Sequence, residues 1–205
     1  MGFYSRHVLP HVIDLAMKNK EAARLRAQVI PHACGDVLEI GIGSGLNLPL
    51  YSSAVNRVYG VDRSLELQRI ARKRASSLPV KIDFILQSAE DSLPIADKSI
   101  DTIVITWTLC SIANPTKALR QMKRVLRQNG HLIFVEHGRA PDRNVAAWQD
   151  RLTPAWKCIG GGCHLNRKID ELIGEAGFQI TELETSYLAG PRPMTYTYNG
   201  VAEVA

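Results

Sequence analysis

The sequence predicts an α/β fold: a Rossmann-like, doubly wound, mostly parallel seven-stranded sheet with an antiparallel last strand. Three observations predict it. Short runs dense in β-branched residues, residues 37–40 and 100–106 among them, read as strands buried on both faces. These runs alternate with helical segments, which requires right-handed crossovers and therefore parallel pairing. The first strand runs directly into Gly41-Ile42-Gly43-Ser44-Gly45, a loop that lets a ligand approach the backbone closely.

Taken in order, residues 8–30 read as helical, with Leu15, Leu25 and Val29 set among charged positions and Pro31 closing the segment. Strands follow at 37–40 and 57–62, then a helix over 64–76 with Ser64 as N-cap. Residues 80–86 alternate as a third strand, and 100–106 form a fourth. A helix over 115–127 ends at the turn signal Asn129-Gly130, ahead of a fifth strand over 131–137. Residues 169–176 are helical and stop at Gly177; 178–188 and 195–204 alternate as two final strands, antiparallel to each other. Residues 138–168, with two Trp, two Cys and a glycine triplet, show no clear period and read as a long functional loop.

At 205 residues and 45% hydrophobic, the chain suits one domain over 1–205. No run is apolar enough to cross a bilayer, and the first ten residues have no hydrophobic core of a signal peptide. Four scattered cysteines argue against a disulfide framework and for reduced thiols, with the cytoplasm as the expected compartment. The net charge of +5 invites a nucleic-acid reading. Its clusters, however, Arg69 to Arg74 and Arg120 to Arg127, fall on predicted helices without interleaved aromatics, as solvated faces do. Nucleic acid is therefore not expected as a partner, whereas peripheral contact with a membrane surface stays open.

The loop chemistry separates two kinds of ligand. The glycines run G-x-G-x-G, and the third glycine of a dinucleotide fingerprint would fall at Leu46. Glu39 stands just before the loop. A carboxylate there repels a pyrophosphate but attracts S-adenosylmethionine, which has no phosphate and carries an ammonium and a sulfonium. Asp62, ending the second strand, can accept from ribose hydroxyls, and Ser88-Ala89-Glu90 can edge an adenine. Thr106-Trp107-Thr108 leaves the fourth strand at the carboxyl edge of the sheet, where open α/β folds bind ligands.

The ordered motifs Val37-Leu38-Glu39-Ile40-Gly41-Ile42-Gly43-Ser44-Gly45, Val61-Asp62, Ala89-Glu90-Asp91-Ser92-Leu93-Pro94 and Ser99-Ile100-Asp101 resemble those of class I S-adenosylmethionine-dependent methyltransferases. Leu109-Cys110-Ser111-Ile112, Phe134-Val135-Glu136-His137, Trp148-Gln149-Asp150 and Gly162-Cys163-His164-Leu165-Asn166-Arg167 further resemble the branch of alkyl-thiol methyltransferases and their bacterial homologues. Animal members of that branch carry an N-terminal hydrophobic segment; its absence here leads to the expectation of a soluble enzyme. The resemblance implies that Glu39, Gly41, Gly43, Ser44, Gly45 and Asn47 line the methionine end of the cofactor. It places Asp62 and Arg63 at the ribose and Ala89 and Glu90 at the adenine; Thr106, from its place at the carboxyl edge of the sheet, is a further cofactor candidate. Residues 1–31 become a helical lid closing over the cofactor, with Tyr4 as a further cofactor contact, and 138–168 an insertion on the acceptor side.

The expected reaction is methyl transfer to a small-molecule acceptor, foremost a thiol. It needs in-line alignment and exclusion of water more than covalent help. A thiol titrating near ~8.5 needs only a modest field or one base. His137, ending the fifth strand, is the candidate base, with a histidine that merely bonds loop carbonyls as the alternative. Trp107, Cys110, Trp148, His164 and Arg167 are the candidate acceptor contacts. Core packing for tryptophan or cysteine, and helix capping for Arg167, are the competing readings. Cys158-x4-Cys163-His164 fits no common zinc spacing, so no metal centre is expected. Methylation of a phospholipid amine or a quinone precursor, and binding without catalysis, are the alternative functions.

Overall fold

The computed structural model describes residues 8–205. Its strands are β1 (Gly35–Ile40), β2 (Val55–Asp62), β3 (Lys81–Leu86), β4 (Ile100–Thr106), β5 (Leu126–His137), β6 (Phe178–Tyr187) and β7 (Tyr196–Val204). They form one sheet in the order β3-β2-β1-β4-β5-β7-β6. The pairs from β3 through to β5 are parallel, whereas β5–β7 and β7–β6 are antiparallel. Strand order reverses between β1 and β4, which opens a crevice beyond their carboxyl ends.

Period-2 alternation along the central strands feeds two cores. Leu38, Ile40, Ile103, Ile105, Leu132 and Phe134 face one side of the sheet. Val37, Val104, Ile133 and Val135 face the other. The first side is covered by α4 (Pro115–Val125), through Ala118, Leu119, Met122 and Val125, and by α6 (Ile169–Glu175), through Ile169 and Ile173. The second is covered by α2 (Lys20–Val29), through Leu25 and Val29, and by α3 (Leu65–Ala75), through Ala71. α3 starts where the sequence places it: the Ser64 hydroxyl accepts from the Leu67 N–H at 3.2 Å.

Three local expectations change. Residues 8–30 form two helices, because Asn19 caps α2 by accepting from the Ala22 N–H at 2.9 Å and so ends α1 (Leu9–Ala16) upstream. β5 starts at Leu126 rather than 131. Its pairing with β4 jumps from Leu126 to His131, so Asn129-Gly130 sits in an irregular stretch within the strand rather than before it. Residues 138–168 are largely helical: α5 (Arg143–Ile159) runs through Pro154, and the last element before β7 is α7 (Arg192–Thr195).

Candidate active site

A cavity of about 720 Å³ opens at the carboxyl ends of β1, β2 and β4. Its floor is the loop after β1, and its outer wall comes from α1 (Leu9, Pro10, Ile13) and the end of α5 (Lys157, Cys158). α1 is tied down beside it. Asp14 accepts from Arg74 at 2.9 Å and Lys18 at 2.6 Å, while Arg74 also donates to the Ser44 carbonyl. Burial raises the Asp14 pKa, but the hydrogen bonds from Lys18, Ser44 and Arg74 outweigh it and hold the carboxyl at about 2.

The glycine loop has the shape only glycine permits. Gly41, at φ 70°, turns the chain where an added Cβ would lie 2.1 Å from the Thr108 hydroxyl oxygen. Asp62 fixes the loop from β2: its carboxylate accepts from the Gly43 N–H at 2.9 Å and the Ser64 N–H at 2.8 Å. Gly41→Ala is expected to lower stability by about 2 kcal/mol or more, from left-handed strain plus the Thr108 clash, and to close the cavity floor. A thermal melt paired with cofactor titration reads both losses.

Electrostatically the site is organised around Glu39, which is 1% exposed. Its oxygens accept from the Asn47 amide at 2.9 Å and the Tyr51 hydroxyl at 2.8 Å. Burial pushes its pKa up to about 7, although Tyr51, Asn47 and the nearby Arg26 charge pull the other way. Burial also lowers Arg26 to about 10. The Arg26 guanidinium lies 4.7 Å over the Trp107 ring and donates to the Met17 carbonyl at 2.8 Å. Its Nε is buried with no hydrogen-bond partner, as is Oδ1 of Asn47. An orphaned donor and an orphaned acceptor flanking a buried carboxylate fit a zwitterionic amino-acid group: the carboxylate suits Arg26, and the ammonium suits Glu39 and Asn47. Burial raises Asp62 as well, against the backbone donors of Ser64 and Gly43.

The structure gathers most of the sequence candidates here. Glu39, Gly41, Gly43, Ser44 and Asn47 line one end of the cavity, and Asp62, Arg63, Ala89 and Glu90 the other. Thr106 and Trp107 sit between them. Gly45 faces away, its would-be Cβ 2.7 Å from Leu48, because the loop must pack on α3. Tyr4 lies outside the described residues.

The acceptor-side candidates divide differently. Trp107 lines the cavity, whereas Cys110, His137, His164 and Arg167 stand behind its wall. His137 is 7% exposed, lowered to about 4 by burial, and its Nε2 lies 3.3 Å from Cys163 Sγ. Its Nε2 is thereby turned to Cys163 Sγ, and His137 is not among the residues that line the cavity. His164 Nδ1 meets the Cys110 carbonyl at 3.3 Å, and Arg167 donates to the Leu109 carbonyl. Trp148 is 54% exposed on the outer face of α5, stacked with Arg151, because the helix turns that position away from the sheet.

Sequence reading missed Arg26, Tyr51 and Glu136. Arg26 shares a helix face with Leu25 and Val29, and its burial was the one available signal, visible only as a charge beside an apolar stripe. Glu136 is fully buried and accepts from the backbone N–H of Thr108 at 2.6 Å, Leu109 at 2.8 Å and Cys110 at 3.2 Å. Its carboxyl is pushed up to about 7 by burial despite those donors. It holds the turn that presents Trp107, whose φ of 48° is left-handed.

A family model described as "Methyltransferase domain" matches residues 38–134. Thiol S-methyltransferase TMT1B of Rattus norvegicus is 36% identical over 151 residues, covering 72% of this chain and 62% of that protein. The match thus spans less than two thirds of the TMT1B length. Thiol S-methyltransferase TMT1A of Homo sapiens is 29% identical over 96% of this chain and 83% of its own. Phosphatidylethanolamine N-methyltransferase of Cereibacter sphaeroides is 28% identical over 80% of this chain and 81% of its own. Among solved structures, a putative methyltransferase of Bacillus halodurans superposes with a TM-score of 0.69 at 15% identity, over 90% of this chain and 96% of that one, which shows the shared fold. With the glycine loop, the acids ending β1 and β2 and the antiparallel closing pair all in place, the chain carries a match to the methyltransferase domain and is similar in sequence and fold to S-adenosylmethionine-dependent methyltransferases.

Proposed function

We propose that the protein transfers the methyl group of S-adenosylmethionine to the sulfur of a small thiol. The observation that carries the cofactor half is buried Glu39 facing the orphaned atoms of Arg26 and Asn47. The thiol half is supported by the relatives named thiol S-methyltransferases. The cofactor supplies a methyl already activated on a cationic sulfur. The residues orient and exclude: Glu39, Asn47 and Arg26 would hold the amino-acid end, Asp62 the ribose, and Ala89 with Glu90 the adenine edge. Leu9, Ile13 and Trp107 give the cavity an apolar rim that keeps water from the reacting sulfur.

Two measurements test this reading. Calorimetry should find micromolar binding of S-adenosylmethionine and none of NAD or NADP; a dinucleotide preference would sink it. Methyl transfer to a panel of alkyl thiols, a phosphatidylethanolamine vesicle and a quinone precursor then identifies the acceptor class. One observation favours the phospholipid as the second reading. Val8, Val12 and Leu15 stand exposed beside and along α1, the helix that also walls the cavity, and apolar side chains so placed suit a membrane surface. Methylation of the vesicle amine with no thiol turnover would decide for it.

Arg26→Leu is expected to weaken S-adenosylmethionine binding about tenfold, the loss of one charge-assisted contact partly offset by relief of a buried cation. Arg26→Lys should recover part of it, since an ammonium keeps the charge without the planar fork. Equal affinity in all three proteins would remove Arg26 from the site.

A further inference from the structure

Behind the cavity wall, three segments distant in sequence bring Cys110, His137 and Cys163 together. Their ligand atoms, two sulfurs and a ring nitrogen, all lie within 4.8 Å of one another. Cys110 follows β4, His137 ends β5, and Cys163 follows α5 across a glycine triplet. The arrangement is held from outside the cluster. Glu136 accepts from the Cys110 N–H at 3.2 Å, and the His164 N–H donates to the Cys110 carbonyl at 2.9 Å. The Cys163 segment is thereby clamped onto the Cys110 turn. Cys163 Sγ stands 3.3 Å from His137 Nε2. Zinc bond lengths of ~2.3 Å to sulfur and ~2.0 Å to nitrogen at a tetrahedral angle put those atoms roughly 3.6 Å apart, so a small relaxation would seat the ion.

From this geometry we propose that Cys110, His137 and Cys163 bind a thiophilic divalent cation, foremost zinc, with a fourth position open toward the cavity, where it takes the acceptor sulfur. Two thiolates and an imidazole form a soft donor set that selects zinc over the hard cations, and three protein ligands with one vacancy is the arrangement of catalytic rather than structural zinc. Ser111 and Gly162, each adjacent to a ligand, line the cavity, so the cluster stands directly against its wall and the fourth position is proposed on that side. The acceptor role rests on the thiol reading above; the metal site does not.

The step balances without any further reactant. A thiol binding at the vacancy releases its proton to solvent and becomes a metal-bound thiolate, nucleophilic at neutral pH. Its electron pair forms the new S–CH3 bond while the bond from the cofactor sulfonium to that methyl breaks, its pair returning to the cofactor sulfur. The neutral thioether is a poor ligand and leaves the metal. His137 then serves the reaction as a ligand rather than as a base, in keeping with an Nε2 that faces Cys163 Sγ.

Reduced, chelator-washed protein is titrated with zinc and with cobalt. The expected results are one zinc per chain by elemental analysis and a thiolate-to-cobalt charge-transfer band. Zinc should also shield Cys163 from alkylation, read by peptide mass spectrometry, while exposed Cys34 and Cys158 react regardless and serve as internal references. Because the shielding is read on the unmodified protein, it does not depend on a variant folding. Cys163→Ser should abolish the band, and Cys34→Ser should retain it. No zinc uptake, uptake undiminished in Cys163→Ser, or formation of a Cys110–Cys163 disulfide in place of metal binding would overturn the site. Addition of an alkyl thiol should shift the visible cobalt bands. Metal uptake with no such shift, or thiol methylation at full rate by zinc-free protein, overturns the acceptor role. Failure of every thiol in the transfer panel, with the metal bound, falsifies the thiol reading and leaves the metal site standing.

Discussion

Replacing Glu39 with glutamine is expected to weaken S-adenosylmethionine binding by about 100-fold, near 2.7 kcal/mol, while making the ligand-free protein more stable above neutral pH. Both effects have one cause. Glu39 is buried and hydrogen-bonded to Asn47 and Tyr51, and burial raises its pKa from 4.5 to about 7. A bound ammonium favours the carboxylate, so wild-type affinity should fall as pH drops below about 7 and a proton has to be displaced. For stability the sign is fixed by the raised value. Between the unfolded and folded pKa the unfolded state holds fewer protons, so ligand-free stability falls as pH rises through that window. A shift of this size corresponds to something on the order of 3 kcal/mol, all of it removed in Glu39→Gln. Calorimetry in buffers of different ionisation heat should count a proton released by the wild type near pH 7 and none by the variant. A pH-independent wild-type affinity would contradict the role of Glu39 as the ammonium's partner.

Glu136→Leu is expected to cost about 3–5 kcal/mol, lowering Tm by roughly 10 °C. The carboxylate is the acceptor for three consecutive backbone N–H groups, those of Thr108, Leu109 and Cys110, and lies fully buried. A leucine fills the volume but leaves those amides without a partner, and each orphaned donor carries a desolvation penalty. Glu136→Gln keeps one acceptor oxygen and should lose less. The turn so held presents Trp107 to the cavity, so Glu136→Leu should also weaken cofactor binding, whereas an ordinary core lesion elsewhere would lower Tm alone. A chemical-denaturation midpoint close to that of the wild type would show that solvent or a rearranged turn satisfies the amides.

The parts of the fold legible in the sequence are those written in local periods. β1, β2, β4 and the glycine loop could be read because parallel strands buried on both faces are uninterrupted apolar runs, and Ser64 marks the start of α3 by its side-chain chemistry. α5 was hidden by Pro154 and by the glycine triplet beyond it, both breakers by composition, yet only Pro154 lies inside the helix. The acids at the ends of β1 and β2 were legible because charge beside a glycine loop is itself a chemical statement. Arg26 and Glu136 were not, since their importance lies in what surrounds them after packing. The Cys110, His137 and Cys163 cluster was beyond any spacing rule: its members come from three segments, and the nearest two are 26 residues apart.

The antiparallel end of the sheet leaves one strand edge without a neighbour in the sheet. β6 is an edge strand, exposed along most of its length, and an unguarded edge of that kind templates the addition of a foreign strand. Here the pairing with β7 shifts register between Ile180 and Glu182, and the strand carries Glu182 and Glu184 in its exposed stretch. A second sheet approaching this edge would meet a kinked backbone and would have to desolvate carboxylates that repel their symmetry mates. The long strand that completes the fold is thus protected against fibril-like stacking by charge and irregularity rather than by a covering helix.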